Sequence, residues 1–308
     1  MYKLAKHSLT TLALAGSALL AACGDSTGPS GGNNPPTQLG QVITLSQFDS
    51  TLGTGTTRIE IKLLPGGLEA REVHVEADDL EEKFVSTVAA IDPVAGTVTL
   101  DLGGMVVSYG SGTRFRTPSD SRVSRSEWEA AITAALGAGQ HPPIEARRNQ
   151  PGSAQAPTDA SFTANDLRLE DQTDEPKIEV YVDSDNLETV ASPPPLAILR
   201  VFNIPVEITS NTELSLTNPG GGIPTGSVEF EGIVTAADAA AGTITLAGGA
   251  VITVGSVTLD PLGDLFTLAS VEAAVGAGQA VRAEGVGTVT SASPLAITAT
   301  AIKVEVDN

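Results

Sequence analysis

Apolar and polar positions alternate with a period of two along most of this chain, the pattern of half-buried β-strands. Glycine-bearing turns cut the alternation into short runs. Val88, Val98 and Leu100 lie in two such runs joined by Ala95-Gly96, which predicts a hairpin over Phe84 to Leu100, followed by a third strand at Met105 to Tyr109. The period then changes. Ser126-Glu127-Trp128-Glu129 reads as a capping box, and Trp128, Ile132, Ala135 and Leu136 recur at helical spacing until Gly137 stops the helix. Two more strands are predicted at Ile144 to Arg148 and Phe162 to Glu170. Strand, strand, strand, helix, strand, strand is the order of a small OB-like β-barrel, which closes a five-stranded sheet on itself and so removes its edges.

The same recipe is written a second time. Phe84 to Leu100 (FVSTVAAIDPVAGTVTL) aligns with Phe230 to Leu246 (FEGIVTAADAAAGTITL), Gly103-Gly104 with Gly248-Gly249, and Leu136 to Gln140 with Val275 to Gln279. Phe162 to Glu170 likewise aligns with Ile297 to Glu305. The second copy carries a third strand at Ala250 to Val254, a shorter helix at Leu268 to Val275, and strands at Ala280 to Gly285 and Ile297 to Val306. Two further segments read as fragments of the unit. Ile59 to Leu63 with Leu68 to Asp78 resembles its closing strands, and Lys177 to Val182 with Ile198 to Leu216 resembles its opening strands without a clear helix. Either Ile59 to Glu76 completes Lys177 to Leu216, or both fragments pack as added strands on the complete barrels.

The blocks VAAIDPVAGTVTL and VTAADAAAGTITL, the Gly-Ala-Gly-Gln turn and the closing alternation through Val304-Glu305 resemble the bacterial domain-of-unknown-function family DUF 5666, found in envelope lipoproteins. The resemblance covers Leu80 to Asp171 and Val228 to Asn308. It implies a mainly β fold and carries no catalytic residues to map; the first copy departs from it by an insertion at Arg147 to Ala160, rich in Pro, Gln and Asn.

The N-terminus adds an address. Lys3 and Lys6 precede an apolar stretch from Leu9 to Leu20 that is too short to span a bilayer, and Leu20-Ala21-Ala22-Cys23 resembles the lipobox of bacterial lipoproteins. Cys23, the single cysteine, is the expected lipidation site, because a thiol receives the lipid. Gly24 to Gly40 holds almost no apolar residue and reads as a disordered tether. The expected organisation is a signal peptide over 1–22, a tether over 23–40, a partial hairpin repeat over 41–79, an OB-like repeat over 80–172, a degenerate partial repeat over 173–227 and an OB-like repeat over 228–308. The lipid on Cys23 makes the membrane a partner. Gly24-Asp25 leaves the membrane open, with the outer membrane or cell surface expected ahead of the inner membrane.

Composition narrows the class further. Of 308 residues only 4% are aromatic, which favours sheets with Val, Ile and Leu cores over aromatic cages. With no second cysteine there is no internal disulfide and no thiolate zinc site. The formal net charge of −20 becomes −22 once the leader takes Lys3 and Lys6 with it, and such a surface repels phosphate backbones. Arg147-Arg148 with Arg122 and Arg125 is too sparse a patch to reverse that, so no nucleic-acid partner is expected.

Candidate chemistry is scarce. His7 lies in the leader, leaving His74, which alternates with Val73 and Val75 and is expected to face solvent, and His141, which opens a His-Pro-Pro loop. Asp78-Asp79-Leu80-Glu81-Glu82 and Asp183-Ser184-Asp185-Asn186 offer oxygen ligands for a hard cation, but solvated turns explain both and their spacing is not that of an EF-hand. Gly220-Gly221-Gly222 lacks the lysine of a phosphate loop and reads as a linker. Trp128 is either a stacking platform or, as favoured, a plug at the barrel bottom. No catalytic, cofactor-binding or metal-ligating residue and no cofactor is assigned. The sequence therefore points to a lipid-anchored, non-enzymatic binding or structural module of the cell envelope, offering its faces to an unknown protein, glycan or small ligand. The alternative is a weak metal-dependent or carboxylate-based hydrolase using Asp78, Asp79, Asp183 or Asp185.

Overall fold

The computed structural model describes residues 38–76, 81–149, 162–171, 175–190, 194–217, 223–224 and 226–306. The first segment holds β1 (Gln38–Val42), helix α1 (Leu45–Leu52), β2 (Thr57–Leu63) and β3 (Ala70–Val75). The helix is an addition to the hairpin expected over 41–79. Thr44 accepts from the Gln47 N–H and Gln47 Oε1 receives the Thr44 N–H at 2.8 Å, so both orphan donors of the first turn are satisfied. Phe48 and Leu52, one turn apart, bury its apolar stripe.

The second segment holds β4 (Glu81–Asp92), β5 (Thr97–Leu100), β6 (Val106–Ser108), β7 (Arg114–Arg116), β8 (Arg122–Val123), α2 (Arg125–Gly137), β9 (Pro143–Asn149), β10 (Phe162–Thr163) and β11 (Asp166–Leu169). The third holds β12 (Lys177–Val182), a 3-10 turn at Ser184–Asn186, β13 (Leu187–Thr189), β14 (Ala197–Val201), β15 (Ile204–Ile208) and β16 (Glu213–Thr217). The last holds β17 (Ser227–Asp238), β18 (Thr243–Leu246), β19 (Val251–Thr253), α3 (Leu268–Gly276), β20 (Val281–Ala292) and β21 (Leu295–Val306). The fold is mainly β.

The last segment is a closed five-stranded barrel. β17, β18 and β19 form an antiparallel meander, β19 runs parallel to β21, β21 pairs antiparallel with β20, and β20 returns to β17. Its core is built from Val228, Phe230, Ile244, Leu246, Ile252 and Ile297, with Val271 of α3 packed in.

The second segment repeats these neighbours. β4 pairs with β5 and β5 with β6; β6 runs parallel to β10, and β11 pairs with β9, which returns to β4. Its last strand is interrupted at Ala164-Asn165, and the extra strand β7 runs parallel to β11. The two hairpins match even in their irregularity: Val88 faces Leu100 and Ala90 faces Thr99, while Val234 faces Leu246 and Ala236 faces Thr245, each with one residue bulged out between. Gly96 and Gly242 take φ of 69° and 72° at equivalent turn positions, a region that disfavours side chains. The capping box of α2 starts two residues earlier than the sequence pattern suggested. Ser124, not Ser126, is the N-cap, and Glu127 returns its carboxylate to the Ser124 N–H at 2.8 Å. Trp128 is buried, edge-on to Tyr109 and packed against Phe115, so it is not an exposed stacking platform.

The two fragments combine. β12 pairs antiparallel with β2, which pairs with β3. β13 continues β12 after the 3-10 turn and pairs with β14, β14 with β15, and Glu207 of β15 bridges Glu69 in parallel just before β3. Beyond that bridge β16 runs parallel to β3, as β7 does to β11. Helix α1 precedes β2 in this circle as α2 precedes β9, so the first segment supplies the helix and closing strands that the third lacks. The Phe202-Asn203 turn separates β14 from β15, and the third strand of the fragment begins at Ile204. This split unit also borders the others: β12 pairs with β4, and β1 with β17. One continuous core runs through the split and middle units, from Ile43 to Leu214, while the C-terminal barrel has its own.

Candidate functional site

The outer faces of β2 and β3 carry the residues that strand alternation assigns to solvent. In β2, Ile59, Ile61 and Leu63 fill the split unit's interior, which turns Arg58, Glu60 and Lys62 outward. They do not reach water freely, because charged side chains of β12, β20 and β21 cover them. Lys62 Nζ sits 2.7 Å from Glu284 Oε2, 3.2 Å from Glu72 Oε2 and 3.7 Å from Glu60 Oε1. Arg71 Nη2 donates to Glu284 Oε1 at 2.8 Å and to Glu175 Oε2 at 3.0 Å, and Lys303 Nζ donates to Glu175 Oε2 at 3.1 Å. On the other flank Lys177 binds Glu60 at 2.9 Å, Lys83 binds Glu179 at 2.6 Å, and Arg58 is held between Glu76 and Glu179.

Burial alone would discharge these groups, and their neighbours decide otherwise. Desolvation works against charged Glu60, but Lys177 and Lys62 pull its carboxyl down to about 2. Glu284 is likewise held well below the carboxylate range by Lys62, Arg71 and Lys303 against the cost of burial. Lys62 is held above its usual value because Glu72, Glu284 and Glu60 outweigh its desolvation. Carboxyls at the edge fare differently: burial, reinforced by neighbouring carboxylates, pushes Glu76 and Glu213 up to about 7 and Glu72 well above its usual range.

His74 lies at that edge and is not solvent-facing. Its ring is 18% exposed. Nδ1 is 2.7 Å from Ser215 Oγ and 2.8 Å from Glu229 Oε2, while Nε2 is 2.9 Å from Thr217 Oγ1. Burial disfavours the imidazolium, yet the hydrogen bond and charge of Glu229 raise it to about 9, and the same contact draws Glu229 down to about 2 against its own desolvation. A serine, a histidine and a glutamate meet here, but not as a nucleophilic triad. Serine and carboxylate share one ring nitrogen, whereas a triad places them on opposite nitrogens. Glu229 also favours the doubly protonated ring, the form with no lone pair for a general base. Among the described residues, Glu72, His74 and Glu229 bring three ligand-capable atoms within 4.8 Å of one another.

Apart from His74, the residues singled out from sequence lie elsewhere. Cys23, Asp78, Asp79 and Gly220-Gly221-Gly222 fall outside the described residues. Asp183 caps the 3-10 turn by accepting from the Asp185 N–H at 2.9 Å, and Asn186 Oδ1 returns to the Asp183 N–H. Of the acidic run at 78–82, Glu81 and Glu82 are in strand β4, and Glu82 is fully buried, receiving Arg148 Nε at 2.7 Å, so this part is no solvated turn. Arg147 turns to Glu145, leaving the sparse basic pair engaged with carboxylates. His141 is exposed in its loop and binds Asp101 at 2.7 Å. The charged cluster was missed because a polar residue on an alternating strand reads as solvated unless a second sheet is known to cover it. No helix among the described residues is long and apolar enough to cross a membrane. No family model, curated protein or solved structure matches the chain.

Proposed function

We propose that this chain is a lipid-anchored, non-enzymatic binding or structural module of the bacterial cell envelope, made of three OB-like units, and that it belongs to the DUF 5666 family. One observation supports the passive reading above others: most of the carboxylates that converge over β2 and β3 meet Lys62, Arg71, Lys177 and Lys303. Charges matched in this way fix the split unit against the C-terminal barrel, and the carboxylates they engage are spent on ion pairs. The hydrolase alternative gains nothing from Asp183 and Asp185, whose carboxylate and backbone N–H are engaged with each other in the turn. The OB-like reading of all three units rests on their shared neighbour order and on a capped helix before the fourth strand of each. Anchoring rests on Cys23 and the apolar leader before it.

Fatty-acid labelling and membrane fractionation in a bacterial host test the anchor. The wild-type chain takes the label and sediments with membranes, whereas Cys23→Ser stays unlabelled and soluble; equal labelling of the two overturns the lipidation. The passive role is tested by complementing a deletion strain with Asp183→Asn/Asp185→Asn. Full complementation is expected, and loss of function in a folded variant would restore the hydrolase reading.

A further inference from the structure

Where an imidazole nitrogen faces a carboxylate at hydrogen-bond distance, either a proton or a metal ion can sit between them, and the edge of the charge cluster contains such a pair. Thr217 Oγ1 donates its own proton to the Val75 carbonyl at 3.1 Å. It therefore accepts from His74, which fixes a proton on Nε2. The other nitrogen, Nδ1, is thereby turned toward Glu229 Oε2 at 2.8 Å, and Glu72 stands within hydrogen-bonding reach of Glu229. An imidazole whose far N–H is anchored by a hydroxyl, with its near nitrogen aimed at two carboxylates, has the arrangement by which proteins orient metal ligands. Two more features point the same way. Glu213, the register partner of Glu72 on the adjacent strand, has a buried Oε1 with no hydrogen-bond partner. Opposite them stands Gly40, where a Cβ would lie 2.6 Å from Glu229 Oε2 and 3.3 Å from His74 Cε1, so the absence of a side chain keeps the cradle open. We propose that His74 Nδ1, Glu229 and Glu72 together bind one divalent transition metal of the zinc class, with Ser215 Oγ beside the fourth position.

The ligand set is one imidazole and two carboxylates, which suits zinc and its neighbours rather than calcium, whose sites are all oxygen. Lys62, 3.2 Å from Glu72, opposes the ion, while Glu213 and the two ligating carboxylates favour it. Binding is an exchange: the metal takes the Nδ1 lone pair and the carboxylates of Glu229 and Glu72, and the protons held on Nδ1 and between the two carboxyls in the metal-free chain pass to buffer. Nothing is oxidised or reduced. The site joins β3, β16 and β17, so the ion would tie the split unit to the C-terminal barrel at the end where fixed cations run out.

The test is a zinc titration of the untagged, chelator-treated full chain by calorimetry, repeated in buffers of different ionisation heat. One Zn2+ per chain is expected, with micromolar or tighter affinity at pH 7 and release of about one to two protons, one from His74 and the other from the Glu72–Glu229 pair. His74→Gln and Glu229→Gln remove saturable binding, Thr217→Val weakens it about tenfold through the lost orientation of the ring, and His141→Gln changes nothing. Because a variant can lose affinity by unfolding, X-ray absorption of the zinc-loaded wild-type chain supplies an independent reading: one imidazole nitrogen with oxygen neighbours is expected. No saturable binding below millimolar zinc, undiminished binding by folded His74→Gln, or a spectrum without imidazole overturns the site and leaves a proton between the imidazole and the carboxylate.

Discussion

The split unit meets its two neighbours through contacts of different balance, since only the joint to the middle unit, which also holds the Lys83–Glu179 pair, is built around buried aromatic rings. Against the middle unit it inserts Phe202, the tip of the β14–β15 turn, edge-on to Phe84 at 5.5 Å and to Phe162 at 5.8 Å between ring centroids. Arg148 lies over both Phe162 and Phe202, at 4.8 and 5.2 Å. Phe202 holds φ at 46° and Asn203 at 66°, a left-handed pair that a phenylalanine adopts only at a cost, and the buried ring offsets it. Against the C-terminal barrel, beside the β1–β17 ladder, the side-chain contact is the layer of lysines, arginines and glutamates around Lys62 and Glu284. The first joint merges two units into one apolar core, and the second joins two cores that stay separate. An apolar joint contributes burial that is indifferent to pH. An ionic joint contributes little net energy over a well-packed apolar one but penalises every wrong register heavily.

The largest effect expected is on the aromatic joint. Phe202→Ala empties a site that both units line, and the cost is about 3–5 kcal/mol. Denaturant unfolding should show the transition of the split and middle units moving by that amount while the C-terminal barrel holds its midpoint. If both midpoints move together, the two cores are one cooperative body and the contrast between the joints dissolves.

Next in size is the ionic joint. Lys62→Met leaves Glu72, Glu284 and Glu60 facing one another in a poorly solvated layer, at a cost of about 3 kcal/mol at neutral pH. The loss should shrink toward pH 5, because Glu72 is already held above its usual range by burial and its neighbours and takes up a proton to relieve the repulsion. Replacing Lys62 and Glu284 together with apolar residues should cost less than Lys62→Met alone, since no orphaned charge remains. A double-mutant cycle read by urea unfolding measures that difference.

Acid titration of the unsubstituted chain sets the joints apart without a mutation. Glu60 titrates at about 2 in the fold, after Lys177 and Lys62 overcome its desolvation, and Glu284 lower still beside Lys62, Arg71 and Lys303. Folded-state values below the unfolded one mean that this stability is complete above about pH 4.5 and disappears as pH falls toward 2, about 2 kcal/mol for each of the two by pH 3. Glu76 and Glu213, pushed up to about 7 mainly by burial, act in the opposite sense: stability rises as pH falls from 8 to 5, by about 2 kcal/mol for each. The expected profile has its maximum near pH 5. Phe202→Ala should shift the whole curve without changing its shape, and a changed shape would show that the aromatic joint is coupled to the charges.

How far the sequence carried this picture depends on where each determinant sits along the chain. The two hairpins were readable because their turns are local: Asp92 Oδ1 accepts from the Val94 and Ala95 N–H groups, Asp238 Oδ1 accepts from Ala241, and a glycine with positive φ follows each. The cap of α2 was ambiguous because Ser124 to Glu127 and Ser126 to Glu129 both satisfy the same spacing, and only backbone geometry chooses between them. Helix α1 carried its own signal, Thr44 and Gln47 three apart before an apolar pair, but a helix of eight residues is short enough to pass for a loop beside strands. The fragments at Ile59 and Lys177 were recognisable as pieces, but their pairing spans more than a hundred residues. Local propensity does not encode that pairing. The same distance hid the charge cluster and His74, which only the arrival of β17, β20 and β21 removes from water.

The smallest effects test whether the split unit is a unit at all. Thr44, Ser124 and Thr267 cap α1, α2 and α3, and each caps by accepting from the N–H three residues on. Substituting any of them with alanine leaves those donors to water and costs about 1 kcal/mol. The magnitudes should be similar, so the information lies in which transition moves. Thr267→Ala should shift the C-terminal barrel alone, and Ser124→Ala the transition of the shared core. Thr44 is the decisive case, because α1 lies more than a hundred residues along the chain from β12 to β16, the strands whose circle it is argued to complete. If α1 belongs to that circle, Thr44→Ala lowers the shared-core transition together with the far strands, measured by hydrogen exchange of the Val180 and Leu199 amides. If it is only an appendage, those amides keep their protection while α1 frays by itself.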